Sequence, residues 1–168
     1  GSEMCKETDT DQALINIPIV SYDDDGIPLY NCDIIGLDDV TIKLENLHIT
    51  GNLVLGDRAN LINVHAGGSI IIGNNADTGH LVSGEDIIIG KDSEINNITA
   101  GSDVTIGSNA IIWNVFSGGN ITIGDTAKTR ELFALGSIEI GKNSISCKLK
   151  AGESITIQGG FSQQDKIP

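Results

Sequence analysis

Residues 101–117 read GSDVTIGSNAIIWNVFS, and residues 118–134 read GGNITIGDTAKTRELFA. Laid over each other, the two stretches match Gly to Gly at their first and seventh residues and Val or Ile to Ile at their fourth and sixth. The register runs without insertion or deletion from Thr50 onward. The other units are TGNLVLGDRANLINVHA, GGSIIIGNNADTGHLVS, GEDIIIGKDSEINNITA, LGSIEIGKNSISCKLKA and GESITIQGGFSQQDKIP. Position 4 of the unit is Leu53, Ile70, Ile87, Val104, Ile121, Ile138 and Ile155, and position 6 is Leu55, Ile72, Ile89, Ile106, Ile123, Ile140 and Ile157. Position 15 of the first six units is Val64, Leu81, Ile98, Val115, Leu132 and Leu149, so none of these residues is polar. A fixed period of this kind is the signature of a repeat architecture.

Positions 4 and 6 flank a variable position 5, the alternation of a strand that buries one face. Positions 15 and 17 alternate likewise, and position 17 is always small, Ala66, Ser83, Ala100, Ser117, Ala134 and Ala151. Position 7 is Gly in six units and is followed by Asn, Asp, Lys or Ser, which marks a corner where the chain reaches positive φ or turns tightly. Position 1 is mostly Gly and gives a second corner, while position 10 is Ala or Ser through Ser144, a small inward residue. Two or three short strands per unit cannot bury their own apolar face. Stacking the units pairs every strand in parallel with its copy at about 4.8 Å per coil. The expected fold is all-β, a single-stranded parallel β-helix (β-solenoid) with 17 residues per coil, right-handed, of about seven coils with an N-terminal cap. Seven coils make a rod about 34 Å long. A left-handed hexapeptide solenoid would need a multiple of six per coil.

Composition agrees with this reading. The 168 residues suffice for one domain, and 28 Ile and 21 Gly stand against three Phe, two Tyr and one Trp. No run of 18 apolar residues could form a transmembrane helix. A net charge of −13 excludes a nonspecific grip on nucleic acid or anionic lipid, which needs clustered cations. Cys5, Cys32 and Cys147 are odd in number and widely spaced, so neither a disulfide framework nor a thiolate zinc site is expected. Gly1 and Ser2 resemble the remnant of a protease-cleavage site, so the sequence leaves the compartment open between bacterial cytoplasm and secretion or the cell surface.

Residues 1–49 differ from the rest, with eleven Asp and Glu against Lys6 and Lys43. The expected division is an acidic N-terminal segment over 1–39, the solenoid over 40–160 and a tail over 161–168. Within the first, 1–13 reads as a disordered lead, and Leu14–Val20, broken by Pro18, as an edge strand or cap. Asp23, Asp24, Asp25 and Gly26 form a turn, and Ile27–Ile35 suits a further strand. Leu44, Leu47 and Ile49 fit positions 12, 15 and 17 of an irregular preceding coil. A solenoid needs such caps because an open strand edge invites pairing with another chain.

Catalysis is not expected. A substrate cleft on a β-helix needs loops extended from its corners, and here consecutive coils keep one length. No catalytic residue, cofactor or metal is therefore assigned. His48 and His65 share position 16, with His80 at position 14 of the next coil, and three gathered imidazoles could bind zinc or sense pH. Solvent-facing strand positions also tolerate histidine without any such role. Glu85, Asp86, Asp92, Glu94 and Asp103 lack the glycine-rich nonapeptide of the calcium β-roll, and Asp23–Asp25 lack EF-hand spacing, so both read as solvated turns. Thr105, Thr122 and Thr156 share outward position 5, but the column lacks the flat paired threonine array that ice binding requires. Outward apolar residues are more informative. Val54, Ile71 and Ile88 form one strip, and Ile111, Trp113, Phe116 and Phe133 another, both with the composition of an interface.

The units GSDVTIGSNA and GESITIQGG, with small-Gly corners and Ile ladders, resemble the bactofilins, polymer-forming cytoskeletal β-helices of bacteria. They are similar as well to the Ala-Gly-Gly-x-Ile-x-Ile repeats of filamentous haemagglutinin adhesins. The resemblance covers roughly 50–160, and neither family implies a catalytic residue. The chain departs from bactofilins in its long acidic N-terminal segment and from the adhesins in its shorter coil. Two functions follow as expectations. The first is a non-catalytic scaffold or protein-binding module, self-associating through an apolar side strip or through its last coil, where Gln158 replaces the corner Gly and Phe161 could plug the end. The second is a secreted or surface adhesin-type module binding a glycan or a host protein. A hexapeptide-type acyltransferase, with His80 as base in a trimer cleft, stands far behind.

Overall fold

The repeat becomes one short and one long strand per coil, each lying in register on its copy one coil later. Ile70–Ile72 pairs in parallel with Ile87–Ile89, and that strand with Val104–Ile106. Asp77–Ser83 lies likewise on Glu94–Ala100. The computed structural model describes residues 18–164 and the main chain of 3–5, and among these residues there is no helix. The short strands build a nine-stranded sheet and the long strands a ten-stranded one. The protein is a parallel β-solenoid.

Its interior is a set of files. Ile72, Ile89, Ile106 and Ile123 stand above one another, each 2% exposed. Position 10 fills the space beside the first corner with Ala59, Ala76, Ser93, Ala110, Ala127 and Ser144, all buried. In the long strand the alternation breaks between positions 12 and 15. Ile95 and Ile98 point inward with Asn96 and Asn97 both outward between them. The strand bends there, so the coil has a third side.

The corner after position 6 works differently from the sequence expectation. Positive φ falls at position 9, on Arg58, Asn75, Asp92, Asn109, Thr126 and Asn143, with φ between 55° and 61°. After glycine, Asn and Asp tolerate this left-handed geometry best. Arg58 is held there by a two-pronged bond to Asp39 of the preceding coil, Nε to Oδ1 and an η nitrogen to Oδ2. The glycine at position 7 serves close approach instead. A Cβ on Gly107 would lie 2.5 Å from the Lys91 nitrogen and 2.8 Å from the Gly90 carbonyl carbon.

The corner carboxylates are more than solvated turn residues. At position 3 the Asp and Asn side chains accept the main-chain N–H of their copies one coil on: Asp103 N donates to Asp86 Oδ1 at 2.9 Å, Asn120 N to Asp103 Oδ1 at 2.8 Å, and Ser137 N to Asn120 Oδ1 at 2.8 Å. Position 8 repeats the device, with Asn74 N donating to Asp57 Oδ1 and Lys142 N to Asp125 Oδ1. These bonds satisfy corner amides that no strand ladder reaches.

Eight coils are present, because the parallel ladder reaches back past Val40 to Cys32–Ile35, which pairs with Leu53–Leu55. Hydrogen-bonded copies between this coil and the next lie 19 residues apart at Asp33 and Asn52 but 17 apart at Asn46 and Asn63. Two extra residues therefore sit at the bend over Lys43–Glu45. Thr41 bridges to Asn60, so buried Ile42, not Leu44, takes position 12; Leu47 and Ile49 take 15 and 17.

The ends are unlike. Ile19–Tyr22 folds antiparallel on Pro28–Tyr30 and closes the N-terminal edge of the long-strand sheet, through an Asp23–Gly26 turn. Glu3–Cys5, expected in a disordered lead, is a strand parallel to Cys32–Ile34 at the edge of the other sheet. The remainder of that lead and residues 14–17 lie outside the described residues. At the other end, Ser162–Gln163 continue the long-strand ladder into the segment expected to be a tail, and Phe161 packs against the core.

Candidate functional site

Four surfaces stand out. The outer face of the short-strand sheet carries Val54, Ile71 and Ile88 in one column, half-buried, 39% and 42% exposed, extended by Ile35 beneath Val54. Sequence reasoning missed Ile35 because the two-residue bulge disguises its register.

The second expected group divides. Phe116 and Phe133 stack along position 16, ring centroids 5.2 Å apart and planes within 8°, with the Lys150 ammonium 5.3 Å from the Phe133 centroid. Trp113 and half-buried Ile111 lie elsewhere on the long strand, at positions 13 and 11. Trp113 is 42% exposed over a groove of about 370 Å³, lined also by His80, Asn96, Asn97, Asn114 and Arg130.

The three histidines do not gather. His48 and His65 meet edge-to-face with centroids 5.2 Å apart, but His80 stands over Asn63 in another column and bonds Asn97 at 2.8 Å through Nδ1. Among the described residues no three His, Cys, Asp or Glu are grouped to hold a metal ion. His48 and His65 instead line an apolar groove of about 400 Å³ under the capping hairpin, with Tyr22, Ile27 and Leu29. Asp23 Oδ2 lies 3.8 Å from His48 Nδ1.

Partial withdrawal from water, and then the neighbouring His48, hold the His65 imidazole below the ordinary histidine range. A pKa depressed by folding means that the unfolded chain takes up the proton first. This contribution to stability is intact above the ordinary range and drains away as pH falls through it to the depressed value. Lowering pH from about 7 to about 5 should reduce the melting temperature of the parent more than that of His65→Gln. Equal losses in the two proteins would remove His65 as the cause.

The fourth surface is the last coil. Ile155 and Ile157 occupy interior positions 4 and 6, yet are 42% and 41% exposed. Leu149 and Ala151 beside them are only half-buried.

Comparison with protein-family models, with curated proteins and with solved structures gave no match. No helix among the described residues is long and apolar enough to cross a membrane.

Proposed function

We propose that the chain is a non-catalytic scaffold that associates with further copies of itself through the apolar strip on the outer face of its short-strand sheet. The observation that carries this is the column of Ile35, Val54, Ile71 and Ile88, apolar side chains facing outward on successive coils, with Ile71 and Ile88 39% and 42% exposed. A second copy is the occupant because its own strip repeats the same side chains at the spacing of the coils and can lie face to face with the first. Contact between identical patches closes as a two-fold dimer. The resemblance of the repeat units to bactofilins supports the reading, since those solenoids also act as assemblies.

Sedimentation equilibrium tests it. The parent should show a mass rising with concentration towards a dimer, more readily as salt screens the −13 charge of each copy. The double variant Ile71→Asp, Ile88→Asp should remain a monomer with an unchanged circular dichroism spectrum. A parent that stays monomeric at every soluble concentration would overturn the proposal. So would a dimer that survives this variant and dissociates when Ile155 and Ile157 become Asp.

A further inference from the structure

The corner at positions 13 and 14 turns two consecutive residues towards solvent in each regular coil, and in the middle of the rod their side chains form an unusual set. Trp113 stands between Asn96 one coil before and Arg130 one coil after, with His80, Asn97 and Asn114 alongside. The indole offers a broad apolar plate, and leaving it 42% exposed on a stacked coil has no packing rationale. The amides beside it are already fixed. Asn114 Nδ2 donates to Asn97 Oδ1 at 2.7 Å, and Asn97 Nδ2 bonds His80 Nδ1 at 2.8 Å. Each amide keeps one N–H for a ligand, and Asn114 keeps its carbonyl oxygen, so both donors and acceptors face the groove. No carboxylate among the described residues pairs with Arg130, whose guanidinium adds a fork of donors.

We propose that this groove binds an uncharged carbohydrate, the C–H face of one sugar ring on the Trp113 indole and its hydroxyls on Asn97, Asn114 and Arg130. A sugar ring matches on both counts, being apolar on its faces and ringed by hydroxyls that donate and accept as amides do. A protein partner would call for an apolar, desolvated centre, and the groove around the indole is amide-lined. Polyanions are disfavoured by the −13 charge of the chain. The side chains rise from stacked strands, not from loops, so the site is formed before the ligand arrives. The groove lies on the long-strand sheet and the apolar strip on the short-strand sheet, so binding is independent of self-association.

Trp113 is the one tryptophan of the chain, so its fluorescence reports on this groove alone. The probes are soluble linear oligomers of β-linked glucose, α-linked glucose, mannose and N-acetylglucosamine, with a heparin oligomer as the charged control. A neutral oligomer should shift the emission saturably, and calorimetry should then show about tenfold weaker binding to Asn97→Ala and to Arg130→Gln. Trp113→Ala should abolish binding without altering the circular dichroism, and the Ile71→Asp, Ile88→Asp variant should bind as the parent does. Silence from every neutral oligomer overturns the proposal. Heparin binding as well as any of them, or undiminished binding by folded Trp113→Ala, overturns it too.

Discussion

Gly107→Ala should destabilise the solenoid by about 3 kcal/mol, while Gly159→Ala leaves it unchanged. Both glycines sit at the same corner of the repeat, Gly107 at position 7 and Gly159 at position 8 three coils later. The added Cβ at Gly107 would meet main-chain atoms of the coil beneath, the Lys91 nitrogen and Cα and the Gly90 carbonyl carbon, all within 2.8 Å. Main chain held in a ladder cannot step aside as a flexible side chain can. Relief comes only by prising the coils apart, which strains the bond from Gly107 N to Ile89 O, now 2.9 Å. Nothing lies within 4 Å of a Cβ at Gly159. Urea unfolding midpoints of the two variants measure the difference. Coinciding midpoints would mean that position 7 requires glycine for some reason other than the closeness of the coils.

Ile89→Ala is the second large effect, expected at about 3–4 kcal/mol against less than about 1 kcal/mol for Ile88→Ala. The two residues are neighbours on one three-residue strand, one 2% and the other 42% exposed. Removing the inner side chain leaves a void between Ile72 and Ile106, whose ladders on both sides fix their spacing and prevent collapse. Removing the outer one loses only part of a wet contact. The same denaturation experiment serves, and similar midpoints for the pair would contradict the interior file.

What could be read in advance followed from parity and period. The columns at 4, 6, 10, 15 and 17 were legible because each depends only on which side of a strand a residue faces. The Phe116–Phe133 stack was legible because both residues share a column. His80 was misjudged for the complementary reason. It faces outward as His65 does, but a parallel ladder brings together residues of the same column, and the partner of His80 there is Asn63. The left-handed residue at position 9 was hidden because Arg58 and Thr126 occupy it as well as Asn, and glycine two residues earlier drew attention away. The groove beside Trp113 was hidden by the bend. Its one sign was the spacing of three between inward positions 12 and 15, which forces two successive side chains outward. Carboxylates at position 3 looked like surface charge, since the amides they accept from belong to another coil.

Because each strand of the regular coils bonds only to its copies one coil away, the rod has a mechanical weak axis. Pulled from its ends, it should yield by peeling, each turn tearing free before its neighbour bears the full load. Every release adds the contour of one repeat, roughly 17 × 3.5 Å or about 60 Å. A stretching trace would then be an even sawtooth, a ruler with the period of the sequence written into it.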